Sequence, residues 1–369
     1  MARPLSVSLQ DHVLEWAQLP WPADWSACFG RRAPLALEIG FGNGDFLVRE
    51  ALAHPERDHL GIELSWTAAT HLFRRLGQAG CTNVRVLLGD AEALVQHLFA
   101  PEMLDAVFVN HPCPWPKARH LERRLLRRDF LAQLSSRMRP GAPLTIVTDH
   151  AEYATWLHEE LTAEASLGSR HATVEVAAIA GRAPTKYQLK AMAQGIPIHF
   201  FEWQKRPDAP SVVAPAPPTP TPAMPSLTLT GATPGLDLFA DFRPLRFREQ
   251  ERGSEVVVRL QAVYRRPDRP VWLVETFVQE DRLRQMFALD VVVRERDVLL
   301  KPSVMGQPYP THGVKRAVWC TAMWLRMRHP TLAVTHESLG LRPPATPWPR
   351  PEDEATEEEE PPAHAREHG

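Results

Sequence analysis

LEIGFGNGDF, Leu37 to Phe46, decides the fold of this 369-residue chain. An apolar run of strand length enters a glycine-rich turn, and a helical pattern leaves it. Gly40, Gly42 and Gly44 let the backbone turn sharply and let a ligand approach closely. Such a turn is common; the acids that frame it are less so. Glu38 precedes the glycines and Asp45 follows them, where a pyrophosphate would meet repulsion instead of a clean helix N-terminus. A cationic ligand suits the turn better. Outward from it, apolar strands alternate with amphipathic helices, which predicts an α/β fold with a parallel sheet. The strands are expected at Leu35–Gly40, His59–Leu64, Val84–Asp90, Leu104–Asn110 and Pro143–Asp149. Helices are expected at Asp45–His54, Trp66–Ala79, Ala91–Phe99 and Leu121–Met138. Thr173–Ala180 and Pro197–Lys205 read as two more strands that finish a doubly wound sheet as a hairpin.

Two more acids fall at strand ends. Glu63 closes the second strand, where an acid commonly bonds ribose hydroxyls, and Asp90 closes the third, placed to meet an adenine. S-adenosylmethionine carries a sulfonium and an ammonium and no phosphate, so it matches this set of acids. The competing reading is that these acids cap helices. Acids at three successive strand ends favour the ligand.

Formal net charge is −2, but Glu352, Asp353, Glu354, Glu357, Glu358, Glu359 and Glu360 form one terminal run, and setting those seven acids aside leaves +5. The folded part is therefore expected to be mildly basic. Cys28, Cys81, Cys113 and Cys320 lie far apart, without the spacing of a disulfide framework or a CxxC zinc pair. No basic-then-apolar leader opens the sequence, and no apolar run reaches membrane-spanning length. A cytoplasmic protein with no membrane partner and no metal is expected; oligomeric state has no signal.

Eight prolines between Pro207 and Pro225 mark a semi-stiff linker, able to span roughly 60 Å at about 3.1 Å per residue. The expected organisation is a domain over 1–206 with its N-terminal segment 1–34 packed on it, a linker over 207–227, a small α+β domain over 228–342 and a disordered acidic tail over 343–369. In the small domain Glu255–Arg266, Pro270–Gln279 and Phe287–Lys301 have strand composition, and Gly313–Arg328 reads as a helix.

The other informative stretch is VNHPCPWPKARHLERR, Val109 to Arg124. Its prolines hold the backbone extended, Trp115 offers a stacking face, and Lys117, Arg119, Arg123 and Arg124 offer phosphate contacts. Aromatic and basic groups at one place are how looped RNA is gripped. The plainer alternative is a packed Pro/Trp corner before a solvated helix. Arg127 and Arg128 divide the same way, and Trp16, Trp21 and Trp25 are expected to pack the N-terminal segment over the sheet.

With both stretches in view, residues Leu35 to Lys205 resemble the bacterial tRNA (guanine-N7-)-methyltransferases. The family's PDPWPKKRH-like, TDW-like and TKFE-plus-Arg motifs are matched here by PCPWPKARH from Pro112, TDHAEYA from Thr148 and TKYQLK from Thr185. The resemblance implies a Rossmann-like class I S-adenosylmethionine-dependent methyltransferase that modifies guanine N7 in the variable loop of tRNA. It implies that Glu38, Glu63 and Asp90, with the Gly40, Gly42 and Gly44 turn and Cys113, hold the cofactor. It also implies that Lys117, Arg119, Asp149, Thr185, Lys186 and Gln188 hold the tRNA.

Three departures stand out. Cys113 occupies the position of the family's catalytic aspartate, Gln188 that of its glutamate, and Lys190 that of the following arginine. Two carboxylates that could receive guanine's N1 and N2 hydrogens are thereby replaced. Asp149 and the Gln188 amide oxygen remain as expected acceptors, with Asp149 anchoring the base and Cys113 lining the transfer pocket. Pro112-Cys113 also admits a cytosine-C5 methyltransferase with a thiolate nucleophile. A catalytically weak tRNA-binding module and a zinc site of His111, Cys113 and His120 are further alternatives.

Overall fold

The computed structural model describes residues 12–342 except 65, 183, 212–223, 232–236, 252–253, 282, 304–305 and 307, with the backbone alone at 66–70, 118–119 and 251. The expected acidic tail and most of the expected linker lie outside the described residues. The chain divides into two compact units, Met1–Pro217 and Pro218–Gly369.

In the first unit the elements run α1 (Trp25–Phe29), β1 (Leu35–Ile39), α2 (Asp45–Ala53), β2 (Asp58–Glu63), α3 (Trp66–Ala79), β3 (Val84–Leu88) and α4 (Ala91–Leu98). They continue with β4 (Ala106–Asn110), α5 (Arg128–Arg137), β5 (Pro143–Thr148), α6 (Ala151–Ala163), β6 (Leu167–Ser169), α7 (Lys186–Ala193) and β7 (His199–Lys205). The sheet order is β3-β2-β1-β4-β5-β7-β6. Strands β1 to β5 pair in parallel, while β7 runs antiparallel to β5 and β6 to β7. Strand β1 is buried at every position, as a central strand covered on both faces must be. The strand order reverses at β1, whose neighbours are β2 and β4. The crevice beyond the carboxyl ends of β1 and β4 is where such sheets bind ligands.

The N-terminal residues that are described lie along β3, where Val86 exchanges backbone bonds with His12 and Leu14. Trp16 and Trp25 are buried; Trp16 Nε1 donates to the Leu88 carbonyl at 3.2 Å, and Trp21 stacks on His97. Among the described residues no helix is long and apolar enough to cross a membrane.

Two expectations fail here. Thr173–Ala180 is not a strand: it makes a single bridge from Val176 to Phe200, and the sheet's edge is instead Leu167–Ser169. The predicted helix Leu121–Met138 splits into a 3-10 turn, Ala118–Arg123, and α5. Arg124 forces the break. Its side chain turns inward, 4% exposed, donates from Nε to the Pro114 carbonyl at 2.9 Å, and lies over the rings of Tyr153 and Trp156. Local helix propensity yields to a buried cation that ties the proline loop to α6.

The second unit is a seven-stranded antiparallel sheet in the order β14-β8-β13-β12-β11-β10-β9. Its elements are β8 (Leu227–Thr230), β9 (Leu245–Glu251), β10 (Ser254–Arg265), β11 (Val271–Glu280), β12 (Leu283–Val293), β13 (Asp297–Pro302), α8 (His312–Arg328) and β14 (Ala333–Glu337). Helix α8 packs Val314, Ala317, Val318 and Trp324 into a core with Val258, Leu289 and Leu300. Phe287–Lys301 forms the end of one strand and most of another around a turn, and β8, β9 and β14 are strands beyond those expected, although β8 and the start of β9 alternate apolar and polar residues.

Replacing Arg124 with alanine removes a charge-assisted hydrogen bond and two cation–ring contacts at a buried site. The expected result is a loss of roughly 2–3 kcal/mol, read as a lower melting temperature and lower midpoint in urea. An unchanged midpoint would show that Arg124 is not structural.

Candidate cofactor and base site

The glycine turn that joins β1 to α2 is held from the next strand. Glu63 Oε2 accepts from the Gly42 amide at 2.9 Å, and its Oε1 accepts from the Leu64 amide at 2.8 Å. Gly40 and Gly42 have φ of +74° and +51°, and a Cβ at either would meet nothing within 4 Å. The space over the turn is open. Gly44 is different: its φ is +73° and a Cβ there would come 2.3 Å from Leu72 Cδ1, so this position is glycine for packing as well as for backbone.

Glu38 is the centre of the site. It sits in β1 only 2% exposed, and its Oε1 accepts from Asn110 Nδ2 at the end of β4, at 2.9 Å. Its Oε2 is buried without a partner. Burial is the main influence on its carboxyl and pushes the pKa up to about 8, against the Asn110 hydrogen bond and the charge of Arg182. A buried acid with an unmet oxygen beside an open turn fits a cationic ligand, and so fits S-adenosylmethionine.

Arg182 comes from the loop before α7. It lies over the Phe46 ring at 4.9 Å, donates to Asn110 Oδ1, and donates from Nη1 to Gln188 Oε1 at 2.8 Å. Burial draws its pKa down to about 10, so it stays charged at neutral pH. A chain of contacts thus runs from Glu38 through Asn110 and Arg182 to Gln188. Arg182 was not legible in the sequence because nothing in the spacing of a loop arginine points at a strand end.

The other expected residues distribute as follows. Asp90 caps α4, accepting from the Ala93 amide at 3.1 Å, so for this acid the capping reading is correct at one oxygen. Asp149, at the end of β5, meets His111 Nδ1 at 3.2 Å. Thr185 caps α7 through the Gln188 amide at 3.0 Å, which sets Gln188 inward, while Lys186 is exposed. Lys117 is exposed at the start of the 3-10 turn; the Arg119 side chain lies outside the described residues. Cys113 is a half-buried thiol outside any disulfide. Trp115 is approached by Arg123 at 5.3 Å and edge-on by His120 at 5.7 Å, so its stacking face is shared.

Expectations for three residues, Gln188, Arg124 and Arg127, are corrected, and the alternative zinc site finds no support. The Gln188 amide oxygen is engaged by Arg182 and does not stand ready as an acceptor for a base. Arg124 is a buried tie and not a phosphate contact, and Arg127 pairs with Glu92 at 3.1 Å. His111, His120 and Cys113 do not gather as zinc ligands: no such group forms among the described residues, and the His111 ring turns to Asp149.

Residues 32–201 match the family described as "Putative methyltransferase". The chain is 39% identical over 196 residues to the tRNA (guanine-N(7)-)-methyltransferase of Syntrophotalea carbinolica, covering 53% of this chain and 84% of that protein. It is 35% identical over 304 residues to the tRNA (guanine-N(7)-)-methyltransferase of Thermus thermophilus, covering 81% of this chain and 91% of that one. That length exceeds the first unit, so the likeness continues into the second. Among solved structures, TrmN from Thermus thermophilus overlays with a TM-score of 0.35 at 19% identity, over 47% of this chain and 44% of that chain. By its matched length and identity, this chain belongs to the tRNA (guanine-N(7)-)-methyltransferase family.

Proposed function

We propose that this chain methylates N7 of a guanine in the variable loop of tRNA in the cytoplasm, with S-adenosylmethionine as donor. The observation that carries the reading is the buried Glu38 carboxyl, with its unmet oxygen, at the crevice beside an open glycine turn. Membership of the family supplies the substrate.

Glu38 would hold the positive end of the cofactor, Glu63 would take the ribose hydroxyls while bracing the turn, and Asp90 would face the adenine from the start of α4. Bound there, the cofactor supplies an electrophilic methyl on a sulfonium. Guanine N7 has a lone pair and no proton, so the transfer needs no general base; alignment and electrostatic fit make the rate. Cys113, on the loop that follows β4, lines the transfer pocket. Asp149 anchors the base through its contact with His111. Lys117, Arg119 and Lys186 meet phosphates, and the Thr185 cap keeps Gln188 at the base.

Purified protein incubated with labelled S-adenosylmethionine and unmodified bulk tRNA is expected to incorporate label, and borohydride–aniline treatment to cut the product once, in the variable loop. Label without cleavage would assign another base, and tRNA binding without label would reduce the chain to a binding module.

The raised Glu38 pKa has a definite sign. Folded Glu38 keeps a proton that the unfolded chain releases above about 4.5, so the free protein loses stability as pH rises from about 4.5 through about 8. A cationic ligand prefers the ionised form. Cofactor affinity should therefore rise with pH and level off above about 8, with proton release on binding at pH 7. Titration calorimetry in buffers of different ionisation enthalpy measures both. Glu38→Gln should abolish this proton release, flatten the stability slope and weaken binding at least about tenfold; an unchanged proton count would remove Glu38 from the site.

Lys117→Ala is expected to leave the melting temperature unchanged and to reduce the slope of log affinity against log salt by about 0.7–0.9. An unaltered slope would make Lys117 a merely solvated side chain.

A further inference from the structure

We infer that His111 is a catalytic residue of this chain, its Nε2 accepting the N1–H of the target guanine where two carboxylates have been replaced. The inference rests on the guanine-N7 reading and names how that base is recognised.

The geometry determines the tautomer. An ionised carboxylate only accepts, so the Nδ1 that meets Asp149 Oδ1 at 3.2 Å carries the hydrogen. In the neutral ring the lone pair then lies on Nε2. That atom is buried with no hydrogen-bond partner, and leaving it unmet costs about 1–3 kcal/mol, which a donor from the substrate removes. The backbone is also unusual: His111 has φ +49°, in a region that non-glycine residues rarely adopt and that collects at functional sites. The residue is locked there by its own amide, which donates to the Val147 carbonyl at 2.7 Å.

Position joins it to both substrates. Asn110, the last residue of β4, holds Glu38 of β1, so the residue that orients the acid of the cofactor site and the imidazole are consecutive in the chain. Gln188 has the complementary role. Because arginine can only donate, the amide atom facing Arg182 Nη1 is the oxygen, and the end of Gln188 that can serve a base is its amine, which suits guanine O6. His111 and Gln188 together read an acceptor and a neighbouring imino hydrogen, the pattern of guanine and not of adenine.

The interaction strengthens as the reaction proceeds. As the N7–methyl bond forms and the sulfur–methyl bond breaks, its electron pair stays on sulfur and the positive charge passes to the purine. The N1–H becomes a stronger donor, so an acceptor placed there favours the transition state over the ground state. No proton has to leave. Around the imidazole stand Asp149 from the end of β5, Arg182 from the loop before α7, and the Tyr187 ring at 5.9 Å on α7; Cys113 is two residues along the same loop. Burial, more than the opposing hydrogen bond and charge of Asp149, lowers the His111 pKa below its ordinary value, and Arg182 adds to the lowering. The ring is neutral at pH 7. The entering base takes the place of the exposed Tyr187 side chain beside it.

The test is steady-state methylation of a full-length tRNA transcript at saturating S-adenosylmethionine, which takes Glu38 out of the profile, from pH 5 to 8. Wild-type kcat/KM should fall toward acid as His111 protonates. His111→Phe should lose about 10- to 100-fold at pH 7 and lose that acid limb, with melting temperature and cofactor affinity kept; His111→Asn, which tolerates the backbone angle, should recover part of the rate. A structural role would move the melting temperature and leave the limb. If the variants do not fold, the wild type decides alone. Inosine at the target, which keeps N1–H and O6, should react within about threefold of guanosine. A His111→Phe enzyme with full rate and an intact acid limb, or a hundredfold loss on inosine, overturns the assignment. A wild type that makes no 7-methylguanosine overturns the guanine-N7 reading instead, so the two failures are distinct.

Discussion

The first unit depends on one electrostatic constraint, the burial of Glu38 in the middle of the sheet. An acid in β1 with 2% exposure is costly unless something answers it. Asn110 answers one oxygen, and Arg182 supplies a positive charge through Asn110. These partners come from the end of the adjacent strand β4 and from a loop 144 residues along the chain from Glu38. The arrangement is only partly satisfied, one oxygen being left without a partner two residues before an open turn. A hydrophobic residue in β1 would be more stable and would have no reason to bind a cation.

Arg182 links this constraint to Gln188. Its guanidinium divides between Asn110 and Gln188, so anything that changes the charge at Glu38 is felt at the Gln188 amide. The planar fork matters here, since a lysine could not hold two such partners in one plane. The same logic governs the replaced carboxylates. With a glutamine at position 188, Arg182 fixes the amide's orientation, and the acceptor role moves to the His111–Asp149 pair.

The proline loop contributes rigidity in two directions. Arg124 ties it inward to the Pro114 carbonyl and the α6 aromatics, while Lys117 stays in solvent. Basic residues a few positions apart thus differ in kind: Arg124 holds the loop's shape, and Lys117 is left in solvent. Only the loop's path, with Trp115 at φ +42°, separates them.

By itself the sequence determined the α/β alternation, the glycine turn, the acids at strand ends and the family motifs, because each is a local pattern of period or spacing. Helix and strand periodicity reports which face is apolar, and Gly40 to Gly44 can only be a turn. Tertiary structure decided what no local pattern encodes. It turned Arg124 inward and broke a predicted helix, brought Arg182 to Asn110 across the chain, spent the Gln188 oxygen on that arginine, and paired His111 with Asp149. Each depends on where two distant segments meet, and hydrogen bonds of about 3 Å cannot be read from residue types alone.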